Sequence, residues 1–254
     1  MRKAGILILT VLLLTACVPS RETSSAFSVS SNSVLAALSI PEKYDYEYQT
    51  VDSGIQITKY NGADTEVKVP EELDGKSVVS IGDWAFSGLA ITAVILPDTV
   101  TSIGWGAFSE CEQLKKVTLS ANLTNISKFA FSDCSALTDI EIPDGVTAIG
   151  YGAFSECSDL ESVKLPAALK KIEFVCFAGC KVLQSVDIPD GVTEIEYSAF
   201  YKCNALERIT IPASVTAIGE GVFEECEKLT AVCYGDYGAQ YCRENGIMCV
   251  RSDG

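Results

Sequence analysis

The chain has 254 residues, with 34 acidic and 19 basic side chains, a formal net charge of −15 and no histidine. This excess of negative charge makes nucleic acid a poor partner, because phosphate backbones are bound by Lys and Arg. Histidine is the commonest general base and metal ligand, so its absence argues against hydrolytic catalysis and most zinc chemistry. The composition predicts a protein that is not an enzyme, with no cofactor and no metal.

The N-terminus is typical of an exported protein. Arg2 and Lys3 precede an apolar run over residues 4–14, which is shorter than the roughly 20 residues that a spanning helix needs. The sequence L-T-A-C, which ends at Cys17, then resembles a bacterial lipobox, whose cysteine is diacylated and becomes the mature N-terminus. We expect a lipoprotein signal peptide over residues 1–16 and a lipid on Cys17, which would hold the protein on the outer side of the cell membrane. The alternative is an ordinary signal peptide with an incidental cysteine.

Two segments separate the signal peptide from the rest of the chain. Residues 17–43 are rich in Ser and poor in large apolar side chains, a composition that cannot bury a core and predicts a flexible tether. In residues 44–66, tyrosines alternate with charged residues before a turn at Ser53 and Gly54, and alternating isoleucines follow. This pattern predicts a β-hairpin that caps the fold at its N-terminal end.

Residues 67–232 repeat with a period of 23 residues. Stepping by 23 residues gives three columns, which are Ile103, Ile126, Ile149, Ile172, Ile195, Ile218; Phe108, Phe131, Phe154, Phe177, Phe200, Phe223; and Cys111, Cys134, Cys157, Cys180, Cys203, Cys226. A period of this length indicates stacked supersecondary units, because no single unit can bury its own apolar face. The sequence therefore predicts a β-rich repeat solenoid.

Each repeat contains two short segments that favour strands and one that favours a helical turn. The motif L-x-x-[VI]-x-[LI] alternates apolar and polar residues and is often followed by Pro, which ends strand pairing. A second strand-like segment ends at the isoleucine column, and A-F-S-x-C-x-x-L spaces its apolar residues as in a turn of helix. We expect parallel strand ladders with short helical turns on the opposite side, and a β-α-β cap over residues 233–254.

The longer pattern L-x-x-V-x-I-P-x-x-V-x-x-I-G-x-x-A-F-x-x-C resembles the BspA-like leucine-rich repeats of bacterial surface proteins. The resemblance extends over roughly residues 44–250. It implies a leucine-rich repeat solenoid on the cell surface that takes part in adhesion to host proteins or to other cells.

The cysteines divide into a column and a terminal group. We expect the column thiols to be buried and unpaired, because free Cys behaves as a small apolar residue and stacked side chains point in the same direction, which is poor geometry for a disulfide. The sequence leaves open whether Cys233, Cys242 and Cys249 form a disulfide in the cap. Metal binding is not expected, because no C-x-x-C pair is present.

Two surfaces are candidates for binding. The first, which we call the strand face, consists of the outward residues of the L-x-x-[VI]-x-[LI] strands, namely Lys116, Thr118, Asp139, Glu141, Ser162, Lys164, Ser185, Asp187, Arg208 and Thr210. Solenoids use such extended polar sheets for protein contacts. The alternative is that this surface is simply solvated.

The second candidate surface, which we call the aromatic stripe, follows the isoleucine column by two or three residues and consists of Trp84, Trp105, Phe129, Tyr151, Phe174 and Tyr197. Exposed aromatic residues are enriched at interfaces, so the stripe is a candidate site for binding a glycan or an anchor residue of a protein partner. The alternative, which we favour, is that the rings cover the ladder edge and stack on each other.

These observations predict a monomeric, lipid-anchored surface protein whose solenoid binds a host or bacterial surface protein through the strand face. The membrane is contacted only through the N-terminal lipid. The alternative function is a carbohydrate-binding module of the cell envelope that uses the aromatic stripe.

Overall fold

The computed structural model describes residues 45–252, which form a solenoid of stacked coils. The expected signal peptide, tether and lipidation site at Cys17 lie outside the described residues. The first two strands, β1 (Tyr46–Val51) and β2 (Gly54–Tyr60), form the expected antiparallel hairpin. Strands β3 (Glu66–Lys68), β4 (Glu72–Leu73) and β5 (Lys76–Ile81) follow, and β2 pairs with β5 in parallel. The hairpin thus closes the N-terminal end of the solenoid.

A second hairpin lies within the first coil. Strands β4 and β5 pair antiparallel on either side of Asp74 and Gly75, which have φ values of 52° and 71°. Positive φ at both central residues matches the twist of the flanking strands in a tight two-residue hairpin. The first coil therefore contains an ordered turn at Asp74 and Gly75.

The remaining coils each contribute two short strands, as the sequence predicts. In chain order these are β6 (Ala93–Ile95), β7 (Ser102–Ile103), β8 (Lys116–Thr118), β9 (Asn125–Ile126), β10 (Asp139–Glu141), β11 (Ala148–Ile149), β12 (Ser162–Lys164), β13 (Lys171–Ile172), β14 (Ser185–Asp187), β15 (Glu194–Ile195), β16 (Arg208–Ile211), β17 (Ala217–Ile218) and β18 (Thr230–Cys233). The chain ends in helix α1 (Asp236–Glu244) and strand β19 (Met248–Arg251).

Equivalent strands pair in parallel from coil to coil and build two ladders. One ladder contains the sheets β3-β6-β8 and β10-β12-β14-β16-β18-β19, and the other contains β1-β2-β5-β7-β9-β11 and β13-β15-β17. The register joins residues 23 apart, such as Ile140 with Val163 and Ile126 with Ile149. Each side chain therefore packs on its equivalent in the next coil, which confirms the solenoid.

Tight turns connect each short second strand to the next coil. In the coil of Phe108, the N–H of Ala107 donates to Gly104 at 3.3 Å, whereas the N–H of Phe108 donates to Ala130 of the next coil at 2.8 Å. Residues in the left-handed region, such as Gly106 and Glu110 with φ values of 57° and 60°, prevent these turns from continuing as a helix. Successive backbone N–H groups thus alternate between hydrogen bonds within the turn and hydrogen bonds to the next coil.

A column of stacked aromatic rings fills the core beneath these turns. Ring centroids of successive phenylalanines from Phe86 to Phe223 lie 5.0–5.8 Å apart. Tyr60 and Tyr46 extend the column into the N-terminal hairpin, and Tyr241 of α1 ends it at the other cap with an edge contact. Both caps therefore cover the open ends of the core, as solenoids require.

The six column cysteines are buried free thiols, as expected. Each Sγ donates to the carbonyl oxygen of a phenylalanine in the preceding coil, at 3.0–3.3 Å. Burial raises the pKa of the Cys111 thiol to about 11 and holds the pKa of Cys134 well above its usual value. Cys111 and Cys134 are therefore protonated at neutral pH.

The C-terminal cap has the expected β-α-β arrangement, in which β19 pairs with β18 in parallel and α1 crosses between them. With nine residues, α1 is the only α-helix within residues 45–252. No helix in that range is long and apolar enough to cross a bilayer.

Candidate binding surfaces

The ten residues of the strand face lie at the outward positions of five neighbouring strands, β8, β10, β12, β14 and β16. Nine of them are exposed and Thr210 is half-buried. Parallel pairing sets Asp139 beside Ser162 and Glu141 beside Lys164, and it sets Ser185 beside Arg208. The structure thus brings all ten into one polar surface with fixed backbone spacing.

Side chains of the strand face pair along the solenoid axis. Lys164 Nζ lies 2.9 Å from Glu141 Oε1, and Thr210 donates to Asp187 Oδ1 at 2.6 Å. The hydrogen bond to Glu141 raises the pKa of Lys164. Because both members of the ion pair are solvent-exposed, the pair contributes little to stability. Its side chains can rearrange at small cost when a partner approaches.

A shallow depression of about 570 Å³ lies at the N-terminal half of the strand face. Its charged lining residues are Asp98, Lys116, Asp139, Glu141, Asp144 and Lys164. Asp98 and Asp144 were not predicted as site residues. The sequence feature that could have identified them is a Pro-Asp dipeptide, which follows the strand in several coils and recurs at Asp190. These dipeptides place exposed carboxylates along one edge of the strand face.

The aromatic stripe divides into two stacked groups. Trp84 and Trp105 have ring centroids 5.4 Å apart. The second group runs through Phe129, Tyr151, Phe174 and Tyr197, with successive centroids 4.5, 5.0 and 5.3 Å apart. Among the described residues, no ring contact is found between the two groups. The exposed Lys128, next to Phe129, stands two residues after the isoleucine column, at the position that Trp105 holds in the preceding coil. The rings do stack on each other, as the structural interpretation of the stripe expects.

Some stripe residues also support the backbone of the next coil. The ring of Trp84 covers Gly106 so closely that a Cβ there would lie 2.4 Å from it, and the ring of Phe129 covers Gly152 in the same way at 2.7 Å. Trp84, Trp105 and Tyr197 nevertheless remain 46–48% exposed. The stripe therefore combines a packing role with a partly accessible aromatic surface.

The fold gathers the three cap cysteines into one cluster. Cys233 Sγ lies 3.8 Å from Cys242 Sγ and 2.8 Å from Cys249 Sγ. All three sulfur atoms lie within 4.8 Å of one another, and the structure holds them as free thiols. The sequence identified the group as a disulfide candidate but did not predict that all three would meet.

Comparisons with known proteins agree with this geometry. The family model described as BspA type leucine rich repeat region matches in six copies, over residues 65–181 and 149–237. No curated protein sequence matches the chain.

Solved structures of bacterial leucine-rich repeat proteins are also similar. One from T. pallidum is 30% identical with a TM-score of 0.70, over 83% of this chain and 98% of that chain. One from Bacteroides ovatus is 23% identical with a TM-score of 0.56, over 82% of this chain and 66% of that chain, and it shows likeness of fold alone. Repeat solenoids of this kind are non-enzymatic scaffolds that generally bind proteins. Because the repeats match the family model over more than half of the sequence, the chain belongs to the BspA-type leucine-rich repeat family.

Proposed function

We propose that the protein is a lipid-anchored bacterial surface protein that binds a host or bacterial surface protein through its strand face and has no enzymatic activity. The observation that carries the proposal is the run of ten outward polar residues across five neighbouring strands. BspA-type leucine-rich repeat proteins are typically bacterial cell-surface proteins, which supports the proposed location and a role in adhesion.

The strand face suits a protein partner because its charges have both signs and its backbone is rigid. Lys116, Lys164 and Arg208 stand on the same ladder of strands as Asp139 and Asp187. Complementary charges steer association and fix the register of an interface. A partner with the opposite charge order along the solenoid axis would match this surface without any change in the backbone.

Anchoring through Cys17 rests on the lipobox-like sequence L-T-A-C and on the short apolar run before it. Two acyl chains are enough for stable attachment to a membrane, whereas one gives only reversible binding. The serine-rich residues 17–43 would then hold the solenoid away from the bilayer. The protein would act as a monomer in this arrangement.

Site-specific photo-crosslinking tests the binding proposal. A photoreactive residue at Ser185, which is exposed on the strand face, should capture a partner protein from host or bacterial surface extracts. The same residue at Glu112, which is exposed on the turn side of a coil, is the matched control and should capture less. Equal capture at both positions, or capture at Glu112 alone, would contradict the strand-face proposal.

The exposed rings favour one second candidate, in which the aromatic stripe binds a glycan of the cell envelope. Trp84 and Trp105 each expose nearly half of their surface and lie in adjacent coils. A glycan array probed with the wild-type protein and with Trp105→Ala tests this candidate. Binding that disappears in the variant would favour it, and the absence of any glycan signal would reject it.

A further inference from the structure

The three cysteines of the C-terminal cap form a sulfur-only cluster at the point where the cap joins the last coil. Cys233 comes from β18, Cys242 from the last turn of α1 and Cys249 from β19. Cys233 and Cys242 are buried, whereas Cys249 is half-buried. One element of the cap therefore supplies each thiol, and the cluster has one side towards solvent.

The cap thiols differ from the column thiols in their surroundings. Each column thiol donates to a backbone carbonyl oxygen of the preceding coil at 3.0–3.3 Å. The cap thiols instead point at one another, with Sγ–Sγ distances of 2.8 Å and 3.8 Å to Cys233. Simple core packing explains the column cysteines, but it does not require three sulfur atoms to converge.

We propose that Cys233, Cys242 and Cys249 bind a soft d¹⁰ metal ion, of the Zn(II) or Cu(I) type, as three thiolate ligands. Thiolates select such ions. A Zn–S bond of about 2.3 Å places two sulfur atoms of a tetrahedral site about 3.8 Å apart. The Cys233–Cys242 distance of 3.8 Å already has this value.

The Cys233–Cys249 pair, at 2.8 Å, has to open by about 1 Å to reach the same spacing. Cys249 is the ligand that can move, because it is half-buried and lies in the terminal strand of its sheet. Cys242 lies in the last turn of α1, and the carbonyl end of a helix favours a cation. A fourth, exogenous ligand would approach from the solvent side at Cys249.

The ion would join β18, α1 and β19 and so hold the terminal strand on the solenoid. Where the ligands come from separate elements, the free energy of metal binding adds to the stability of the folded state. The ligands are nine and seven residues apart in the sequence, so no C-x-x-C motif marks the site. The inference does not depend on what the strand face binds.

Metal titration of the reduced full chain tests the site. Every protein in the titration carries Cys17→Ser. This substitution removes the one cysteine that lies outside the described residues. Zn(II) is added in competition with a chromophoric chelator, and Co(II) reports thiolate ligation by its sulfur-to-metal charge-transfer absorption. An anaerobic arm with Cu(I) distinguishes the two ions. We expect one ion per chain and slower amide exchange in β19 when the ion is bound.

Two variants provide the matched comparison. Cys249→Ser should lower the affinity by more than about 100-fold, because even groups outside the ligand set are worth about 10–100-fold. Cys176→Ala should bind as the parent does, since the equivalent position carries Ala in other coils, such as Ala153 and Ala199. Failure of the reduced parent to bind either ion, or unchanged affinity in Cys249→Ser, would overturn the proposal. A disulfide between cap cysteines, in a chain whose reduced form binds no metal, would also overturn the proposal.

Discussion

The Sγ atom of Cys157 lies 3.1 Å from the carbonyl oxygen of Phe131 in the preceding coil. The same oxygen accepts the backbone N–H of Cys134 at 3.3 Å. The column cysteine thus fills a small apolar space and also donates a hydrogen bond between coils. This relationship repeats along the column with the 23-residue period, so the thiols join adjacent coils as well as filling the core.

Burial of these thiols predicts a loss of stability at alkaline pH. The pKa of Cys111 rises from its usual 9.0 to about 11 in the folded chain because the thiol is desolvated. Between these two values the unfolded chain loses its proton and the folded chain keeps it. The free energy of unfolding should therefore be insensitive to this thiol below pH 9 and fall by about 1.4 kcal/mol per pH unit between the two values.

Denaturant unfolding of Cys111→Ala at pH 8, 9 and 10, under reducing conditions, checks this slope. The variant should lose less stability than the wild type between pH 9 and 10. Leu114→Ala, which removes a buried side chain but no thiol, should retain the wild-type slope. Identical slopes in all three proteins would show that Cys111 does not titrate as its burial predicts.

The phenylalanine column predicts local loss of structure when one ring is removed. Phe154 is fully buried and stacks on Phe131 and Phe177 at 5.4 and 5.5 Å. Phe154→Ala should cost about 3–5 kcal/mol, as large core truncations do. Because contacts in a solenoid are between neighbours, amide exchange should rise first in the adjacent coils and last in the C-terminal cap.

Phe174→Ala provides the comparison, since this half-buried ring of the aromatic stripe also stacks on two neighbours. It should cost less than Phe154→Ala, about 2 kcal/mol or below. Exchange that rises evenly along the whole chain after Phe154→Ala would contradict nearest-neighbour stacking.

The contact between Phe129 and Gly152 predicts an energetic coupling. Gly152 has a φ of 60°, and a Cβ there would lie 2.7 Å from the Phe129 ring. Gly88 has a φ of 69°, and a Cβ there would meet nothing within 4 Å. Gly88→Ala should therefore cost only the left-handed backbone conformation, about 1–2 kcal/mol, whereas Gly152→Ala should cost more.

A double-mutant cycle measures the difference. In a Phe129→Ala background, the cost of Gly152→Ala should fall to that of Gly88→Ala, because the obstructing ring is gone. Thermal or denaturant unfolding of the four chains gives the coupling energy. Additive costs would show that the ring moves aside freely and does not support the glycine.

The regular part of this fold was predictable because each repeat has the same pattern of apolar residues. The three columns set the register, so that Ile149 pairs beside Ile126 and Phe154 stacks on Phe131. Polar residues flanking the inward Ile140 marked the strand face, and the structure places them on it.

Features outside the repeat were harder to predict. Glu110 and Phe129 adopt positive φ values of 60° and 54°, which sequence rules assign mainly to glycine. Here the hydrogen bonds between coils impose the conformation. Tyr60 joins the phenylalanine column although its coil lacks the A-F-S motif. It follows the column position at Ile57 by three residues, whereas Phe108 follows Ile103 by five, so the repeat spacing does not mark it. The cap thiols meet only because α1 folds back between β18 and β19.

Membrane attachment through Cys17 predicts a processing defect when that residue is replaced. Cys17→Ala should accumulate as unprocessed precursor or be released into the medium, because the acylated atom is missing. Labelling with a fatty-acid analogue, followed by cell fractionation, measures both outcomes. Cys249→Ala, which changes a cysteine of the cap, should still be labelled. Normal processing and membrane retention of Cys17→Ala would reject the lipobox interpretation.

The strand face and the aromatic stripe make opposite predictions for charge and ring substitutions. Reversal of Lys116, Lys164 and Arg208 to Glu changes the sign of three exposed side chains on the strand face. Reversal of Lys59, Lys170 and Lys228, which are exposed elsewhere, is the matched control for net charge. Trp105→Ala removes an exposed ring of the stripe, and aromatic anchors typically carry about 2 kcal/mol or more of binding energy.

The most direct test is the affinity of these folded variants for the partner protein recovered by cross-linking, measured at low and at high salt. If the strand face binds, its triple reversal should weaken binding at least about tenfold and change the salt dependence, since charges on an interface steer association. The control reversal and Trp105→Ala should then bind nearly as the wild type does. Full binding after reversal of Lys116, Lys164 and Arg208, with loss of binding in Trp105→Ala, would contradict the account.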